Sequence, residues 1–353
     1  MGIKYLNRYL KNHCSRGIQY ISIDRLSNKT IVVDTSIYIY RFLETNSLLE
    51  NFFTFITQCH AFQITPLFVF DGKPDDSKLQ TIKERHQKRK DAMIDYYQCK
   101  SELENNTLSD TEKDKLILKM EQLKKDSTRV KEKHIAQVKQ LFDAMKVSYW
   151  EASGEADILC AYLVKRKMAW ACVSDDMDMF VYDCDFVIRE WNIEKQQCIL
   201  YDRNRIIREL NIDYKYFSAV LVILGTDYHQ ESNNSERIYI DTALKWYDQY
   251  YYDTIHPDNH HHSDITNNDC STVDTCHCHY EDFYKWLADN GKITMENREK
   301  LSKIYSIFII PDTLDIRQLS NNNCYPHKET IIQWDAVKNI LTPLGFLFPT
   351  NII

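Results

Sequence analysis

The sequence predicts an α/β fold with a parallel sheet flanked by helices, and two observations point to it. Short apolar runs of strand length occur at 30–33, 67–70, 169–173, 179–182 and 186–189, and longer segments with helical spacing separate most of them. This alternation is typical of parallel strands joined by helices. The second observation is that acidic residues stand where several of these runs end, at the edge where such sheets bind ligands.

Composition limits the class of protein. The chain has 353 residues, 44% of them hydrophobic, so it can bury the core of one large domain or two small ones. No apolar run approaches the roughly 18 residues of a membrane span, and the start of the chain lacks signal-peptide features, so we expect a soluble intracellular protein. The eleven cysteines are scattered and mostly lie in apolar segments, which favours reduced core thiols over disulfides.

Seven acidic residues at or beside the predicted sheet edges are candidate metal ligands. Singly, an acid at a strand end is more often a helix cap or a turn former. Seven carboxylates in one crevice would repel each other unless cations neutralised them, and oxygen-rich sites suit Mg²⁺ or Mn²⁺. With two metal ions, such a site can hydrolyse phosphodiesters. The seven acids are Asp34, Asp71, Glu155, Asp157, Asp176, Asp178 and Asp227.

A basic segment follows Asp71, and it bears on whether this acidic chain can bind a polyanion such as DNA. The formal charge of −7 argues against a polyanionic partner, because phosphate binding is largely electrostatic. Between 78 and 90, however, only Glu84 opposes the basic residues, and spacings of seven and four residues place three of them on one helical face. A solvated helix is the plainer interpretation of a charge run. Beside a metal site, the same face could bind phosphate. The basic residues are Lys78, Lys83, Arg85, Lys88, Arg89 and Lys90.

Six sequence blocks, taken in order, resemble those of the flap endonuclease and XPG-type 5′ nuclease family: MGIKYL, VVDTSIYIYRFL, FVFDGKP, ASGEAD, SDDMD and LGTDY, over about residues 1–228. The resemblance implies a PIN-like α/β core with two Mg²⁺ ions held by the seven acids. It also implies that Lys78 and Arg85 lie over the scissile phosphate on a helical arch, and that Tyr40 stacks on a base. Lys88 and Arg89 are further candidate DNA-binding residues, and Gly2 would let the start of the chain pack close to the site.

The resemblance also predicts how the chain is organised. We expect an N-terminal nuclease region at 1–92, a helical arch with its return helix at 93–147 and an internal nuclease region at 148–250. A His/Asn/Cys-rich insertion or loop at 251–280 and a divergent C-terminal helical region at 281–353 follow. From 78 to about 147 the spacing predicts two helices joined by a polar tip.

Three features depart from the family pattern. Asp157 stands where the family usually has Glu, which retracts the carboxylate by one methylene group. No glycine occurs between Gly225 and Gly291, although the family carries a glycine-rich turn there that grips duplex DNA. Arg237 and Lys245 could substitute for it. The chain also lacks a recognisable motif for docking a sliding clamp.

A histidine- and cysteine-rich cluster between 256 and 279 invites a zinc interpretation. Cys276 and Cys278 are separated by one residue rather than the usual two to four, which favours a loop instead.

The sequence therefore favours a monomeric, Mg²⁺-dependent 5′ nuclease that acts on branched or 5′-flap DNA as a flap endonuclease, a 5′-3′ exonuclease or both. We expect it in the nucleus, or at a cytoplasmic site of DNA replication, and not at a membrane. The alternative is a DNA-binding homologue with weak or no turnover. An aspartyl-phosphate phosphatase is excluded, because that class needs an acid two residues after the first, and Ser36 follows Asp34 at that spacing.

Overall fold

A computed structural model describes residues 2–73, 79–104, 109–229, 237–254, 279–314 and 331–348. Within these ranges the chain forms two compact units. The first unit comprises Met1–Ile21, Ala161–Trp191 and Cys198–Leu314, and the second comprises Ser22–Cys160, Asn192–Gln197 and Asp315–Ile353. No helix among the described residues is both long enough and apolar enough to cross a membrane.

The elements alternate as an α/β fold requires. The strands are β1 (Ile18–Ser22), β2 (Thr30–Asp34), β3 (Thr65–Phe70), β4 (Tyr149–Glu151), β5 (Ala171–Val173), β6 (Phe186–Asn192) and β7 (Gln197–Asp202). The helices are α1 (Leu6–His13), α2 (Thr35–Glu44), α3 (Leu48–Ala61), α4 (Leu79–Glu104), α5 (Asp110–Asp126), α6 (Glu132–Met145), α7 (Ala156–Lys165), α8 (Arg203–Glu209), α9 (Tyr214–Ile223), α10 (Ile240–Thr254), α11 (His279–Asp289), α12 (Met295–Ile307) and α13 (Trp334–Leu341).

The second unit contains a parallel sheet in the order β2-β3-β4. Strands β2 and β3 are buried almost throughout, which explains why their sequences are continuous apolar runs rather than alternating ones. Rings from α3, β3 and α6 fill the space beside the sheet. Phe142 lies 4.3 Å from Phe68 and 5.4 Å from Phe52, measured between ring centroids, and all three are fully buried.

The predicted arch contains one helix more than the sequence suggested. Helices α4 and α5 pack against each other, and the break between them lies in the predicted polar tip. A capping box starts α5: the Ser109 N–H donates to the Glu112 carboxylate at 2.9 Å. The expectation of two helices was wrong because the chain breaks again after Asp126 before α6 begins at Glu132.

The first unit contains a sheet in the order β1-β7-β6-β5, with β5 and β6 parallel. Its core includes α9, whose residues from Tyr216 to Ile223 are all buried. Helices α10, α11 and α12 pack around α9, and the Tyr284 hydroxyl donates to the Ala219 carbonyl at 3.0 Å.

The cysteines of the described residues confirm the predicted core thiols. All seven of them are free and buried, and burial raises the pKa of the Cys14 thiol to about 12. Such thiols are poor nucleophiles at neutral pH.

One predicted strand was wrong and three short strands were missed. The apolar run at 179–182 is not a strand, because residues Met177–Phe180 form a 3₁₀ helix that Asp176 caps. The missed strands are β1, β4 and β7. Strand β4 has only three residues, and β1 buries only one of its five side chains, so neither leaves a clear apolar pattern.

The loop after β3 packs directly on the loop after β4. The Gly72 N–H donates to the Gly154 carbonyl at 2.6 Å, and the Ala152 N–H donates to the Phe70 carbonyl at 2.9 Å. A Cβ on Gly72 would overlap the Ala152 carbonyl oxygen and lie 2.9 Å from the Ser153 carbonyl carbon. The glycine of FVFDGKP is therefore required by close approach of two backbone segments.

We expect Gly72→Ala to lower the free energy of unfolding by about 1–3 kcal/mol, because backbone atoms must move to accept the methyl group. The urea midpoint measures the effect. Gly154→Ala is the matched control, because its Cβ would meet the Lys73 carbonyl oxygen at an ordinary 3.8 Å. Equal midpoints for the two variants would show that the contact between the loops does not constrain residue 72.

Candidate active site

In the second unit, the acids lie at the carboxyl ends of neighbouring parallel strands, as predicted. Asp34 ends β2, is 4% exposed and pairs in register with Val69 of β3. Asp71 follows β3 directly, and its carboxylate accepts a 2.9 Å hydrogen bond from the Ala156 N–H. That N–H belongs to the first residue of α7, so the carboxylate also lies at the positive end of the helix dipole.

Glu155 and Asp157 flank this hydrogen bond. Glu155 immediately precedes α7 and Asp157 lies in its first turn, and both are partly exposed. The bond from Ala156 therefore brings Asp71 to the segment that carries Glu155 and Asp157.

In the first unit, Asp176 and Asp178 form a buried pair just beyond β5. They are 7% and 2% exposed. The Asp178 N–H donates to Asp176 Oδ1 at 2.9 Å, and the Asp176 N–H donates to Ser174 Oγ at 3.2 Å. These bonds fix the turn that aims both side chains. Sequence reasoning missed the role of Ser174, although a serine two residues before an acid is a local turn signal.

Gly2 packs against this acid pair. Its backbone has φ +72°, which glycine adopts without strain. A Cβ built on Gly2 would overlap Asp176 Oδ1 and would lie 2.6 Å from Asp178 Oδ1. The start of the chain therefore packs closely against both oxygens, as the resemblance implied for this glycine.

Asp227 lies in a tight turn after α9. The Thr226 N–H donates to His229 Nδ1 at 2.9 Å, which closes the turn around Asp227. Burial lowers the pKa of His229 to about 4, so its ring is neutral at pH 7 and can accept this bond. Asp227 itself is partly exposed.

Among the candidate DNA-binding residues, Tyr40 and Arg89 contact each other. Arg89 Nη2 donates to the Tyr40 hydroxyl at 3.1 Å, and the guanidinium carbon lies 5.1 Å from the ring centroid. Arg85 lies one turn before Arg89 on α4, and Lys88 is exposed. Lys78 lies outside the described residues, as does the His/Cys cluster except for His279, whose ring packs 5.9 Å from Tyr216.

The donor set suits a hard divalent cation. Carboxylate oxygens are what Mg²⁺ prefers, and the space beside Gly2 holds two such oxygens that would repel each other without a cation. Within the described ranges, no group of three or more His, Cys, Asp or Glu side chains is arranged to hold a metal ion. What each unit provides is a partial ligand set: an acid pair in the first, and acids at adjoining strand ends in the second.

Comparisons with known proteins agree with these motifs. The family model for the XPG N-terminal domain matches residues 1–92, and that for the XPG I-region matches residues 146–227. Flap endonuclease 1 of Encephalitozoon cuniculi (strain GB-M1) is 28% identical over 245 residues, covering 65% of this chain and 68% of that protein. Flap endonuclease 1 of Glycine max is 28% identical over 247 residues, covering 65% and 62%. The matched stretch thus spans about two thirds of the length of these relatives.

Solved structures confirm the predicted PIN-like α/β fold. The catalytic core of Rad2 in complex with DNA substrate aligns with a TM-score of 0.59 at 20% identity, covering 98% of this chain and 96% of that one. Human GEN1 in complex with Holliday junction DNA aligns with a TM-score of 0.54 at 16% identity, covering 98% and 74%. The two regions that match the family models occur in the order of the sequence blocks and contain all seven candidate ligands, and these matches support an XPG-type flap endonuclease family member.

Proposed function

We propose that the chain is a structure-specific 5′ nuclease that hydrolyses DNA phosphodiesters with two Mg²⁺ ions, for which Mn²⁺ can substitute. The observation that carries this proposal is the way backbone amides fix carboxylates just beyond buried strands. Asp71 is held by the Ala156 N–H, and Asp176 by the Asp178 N–H. These hydrogen bonds hold ionised carboxylates near one another, where they repel each other. A bound divalent cation would offset that repulsion.

All seven acids are proposed metal ligands, and one of them, Asp157, differs from the residue usual in the family. When bound, the two ions would lower the pKa of a water and stabilise the leaving oxygen. Asp157 is shorter than the glutamate usual in the family, and a bridging water can span the difference because Mg²⁺ readily keeps waters. The proposed ligands are Asp34, Asp71, Glu155, Asp157, Asp176, Asp178 and Asp227.

Four basic residues, together with Tyr40 of α2, would hold the DNA strand. Lys78 and Arg85 would stabilise charge that develops on the scissile phosphate. Lys88 and Arg89 would contact neighbouring phosphates, and Tyr40 would stack on a base once its ring exchanges Arg89 for that base. The planar Arg89 guanidinium lies over the Tyr40 ring, so this face of the ring has room for a planar group such as a base.

The proposed substrate is branched or 5′-flap DNA in replication, repair or recombination, cut endonucleolytically, from 5′ ends or both. The enzyme would act as a monomer in the nucleus or at a cytoplasmic replication site. The second candidate is a DNA-binding homologue with weak or no turnover, which the shortened acid at Asp157 favours. A panel of labelled flap, gap, bubble and junction DNAs with Mg²⁺ distinguishes the two functions.

We expect Asp178→Asn to abolish Mg²⁺-dependent cleavage of the preferred DNA and to leave binding to it largely intact, since the amide has nearly the same shape but no charge. Asp175→Asn is the matched control. Asp175 lies in the same run, but its carboxylate accepts from the Glu190 N–H at 2.9 Å, a role that an amide oxygen can keep. Cleavage by Asp178→Asn at the rate of the control would rule out Asp178 as a ligand.

We expect Arg85→Ala and Lys78→Ala to lower kcat about a hundred-fold while changing Kd much less, because these cations act on charge that exists only in the transition state. Single-turnover cleavage and binding in Ca²⁺ separate the two quantities. Lys100→Ala is the control, since it lies on the same helix about 22 Å along its axis from Arg85. Equal losses of rate and affinity would assign both residues to positioning alone.

A further inference from the structure

A cleft in the first unit lies between the start of α1 and the segment that enters α10. Its volume is about 240 Å³, and both of its walls belong to that unit. This is below the roughly 300–1,000 Å³ of sites for drug-sized ligands, so it suits a single planar group rather than a large molecule. The residues that matter here are Lys4, Tyr5, Arg8, Tyr9, Arg237, Tyr239 and Asp241.

The cleft attracts anions. Lys4, Arg8 and Arg237 are exposed along it, and helices α1 and α10 both begin at it, so their positive dipole ends add to the field. One acid, Asp241, opposes them within the cleft lining. Burial raises the pKa of Tyr9 to about 12, and the interaction of the Tyr9 hydroxyl with the Asp241 carboxylate adds to the rise. The acid is therefore engaged by its neighbour.

Two exposed tyrosines and an arginine lie together over the cleft. Tyr5 and Tyr239 are 57% and 55% exposed, and their ring centroids are 6.1 Å apart with the ring planes tilted by 44°. The Arg237 guanidinium carbon lies 5.7 Å from the Tyr5 centroid. Exposed aromatic rings beside a guanidinium are the surface on which nucleic-acid bases stack.

Tyr5 holds this position against a local conformational cost. Its φ is 64°, in the left-handed region that bulky residues avoid, and it is the only aromatic among the described non-glycine residues with positive φ. Glycine would fit the same backbone without strain. Backbone strain of this kind concentrates at sites where the side chain has a role.

The surface also lies near the acid pair. Tyr5 follows Gly2 by three residues, a length of chain that spans at most about 11 Å. Gly2 contacts Asp176 and Asp178. Stacked nucleotides rise about 3.4 Å each along one strand, so a base on Tyr5 would lie within a few nucleotides of a phosphate at the acids.

We propose that Tyr5, Arg237 and Tyr239 form a stacking platform for an unpaired base of the DNA strand, and that Lys4 and Arg8 contact the adjoining phosphates. The choice of DNA rests on the proposed function. Base stacking tolerates any sequence and needs no glycine-rich turn, so the platform would supply strand contacts in a chain that lacks the family's glycines after Gly225.

Single-stranded DNA with abasic sites tests the platform. Binding of a labelled strand of about 12 nucleotides is measured in Ca²⁺ by fluorescence anisotropy, with an abasic site moved along the strand. We expect Tyr5→Gly to raise Kd about five- to a hundred-fold while keeping or raising the melting temperature, because glycine relieves the backbone strain. In the wild type, an abasic site at one or two positions of the strand should lower the affinity as much as Tyr5→Gly does on the intact strand. On that abasic strand, Tyr5→Gly should cause no further loss of affinity.

The control variant is Tyr252→Ala. Tyr252 is as exposed as Tyr5, at 57%, and lies near the far end of α10, so its loss should leave Kd unchanged. Arg8→Ala should reduce the salt dependence of binding by about one phosphate contact. An unchanged Kd for Tyr5→Gly, or equal binding of abasic and intact strands by the wild type, would overturn the platform.

Cleavage by the same variants distinguishes this inference from the proposed function. If the wild type binds with the abasic signature and cleaves no DNA, the nuclease proposal fails and the platform stands. If the wild type cleaves DNA with Mg²⁺ and Tyr5→Gly neither weakens binding nor slows cleavage, the platform fails and the nuclease proposal stands.

Discussion

Hydrogen bonds from backbone amides to carboxylates determine how this protein presents its acids. Asp71 is held by the first N–H of α7, and Asp176 by the N–H of Asp178. Each bond fixes a carboxylate in a loop that leaves a buried strand, and hydrogen bonds to an ionised carboxylate are stronger than those between neutral groups. The loops can therefore keep like charges in place that would otherwise move apart. The glycines serve the same end, because Gly2 and Gly72 let backbone approach where a Cβ would overlap an oxygen.

The fold and the site could be predicted to different extents. Strands β2, β3, β5 and β6 were predictable because buried parallel strands are continuous apolar runs ending in acids or turns. The apolar run at 179–182 resembles these strands in sequence. It is not a strand, because Asp176 caps a 3₁₀ helix that includes its first residues, and hydrophobic periodicity does not predict such a cap. Strands β1 and β4 were missed because few of their side chains carry a pattern. The sequence alone gives the types and order of the acids. It does not give a hydrogen bond such as that from the Ala156 N–H to Asp71, because these residues are distant in sequence.

Sequence motifs could not predict the surface formed by Tyr5, Arg237 and Tyr239, for a physical reason. Tyr5 belongs to a block that reads as a family signature, and Arg237 and Tyr239 lie more than two hundred residues away in sequence. Only the packing of α1 beside α10 brings them together. Positive φ at Tyr5 is also a backbone property, which a sequence pattern does not show. The surface thus depends on tertiary packing and on a backbone conformation, neither of which a sequence block shows.

If divalent metal binds at the acid pair of Asp176 and Asp178, as we propose, the stability of the protein depends on Mg²⁺ even without any DNA. Thermal unfolding is measured with and without Mg²⁺ for the wild type and for Asp176→Asn. We expect Mg²⁺ to raise the wild-type melting temperature, because a ligand that binds only the folded state stabilises it by about 2.7 kcal/mol at a hundred times its Kd. The variant should be at least as stable without metal, since like-charge repulsion falls, and should gain much less from Mg²⁺. A melting temperature that Mg²⁺ leaves unchanged in the wild type, or raises equally in both proteins, would contradict the account.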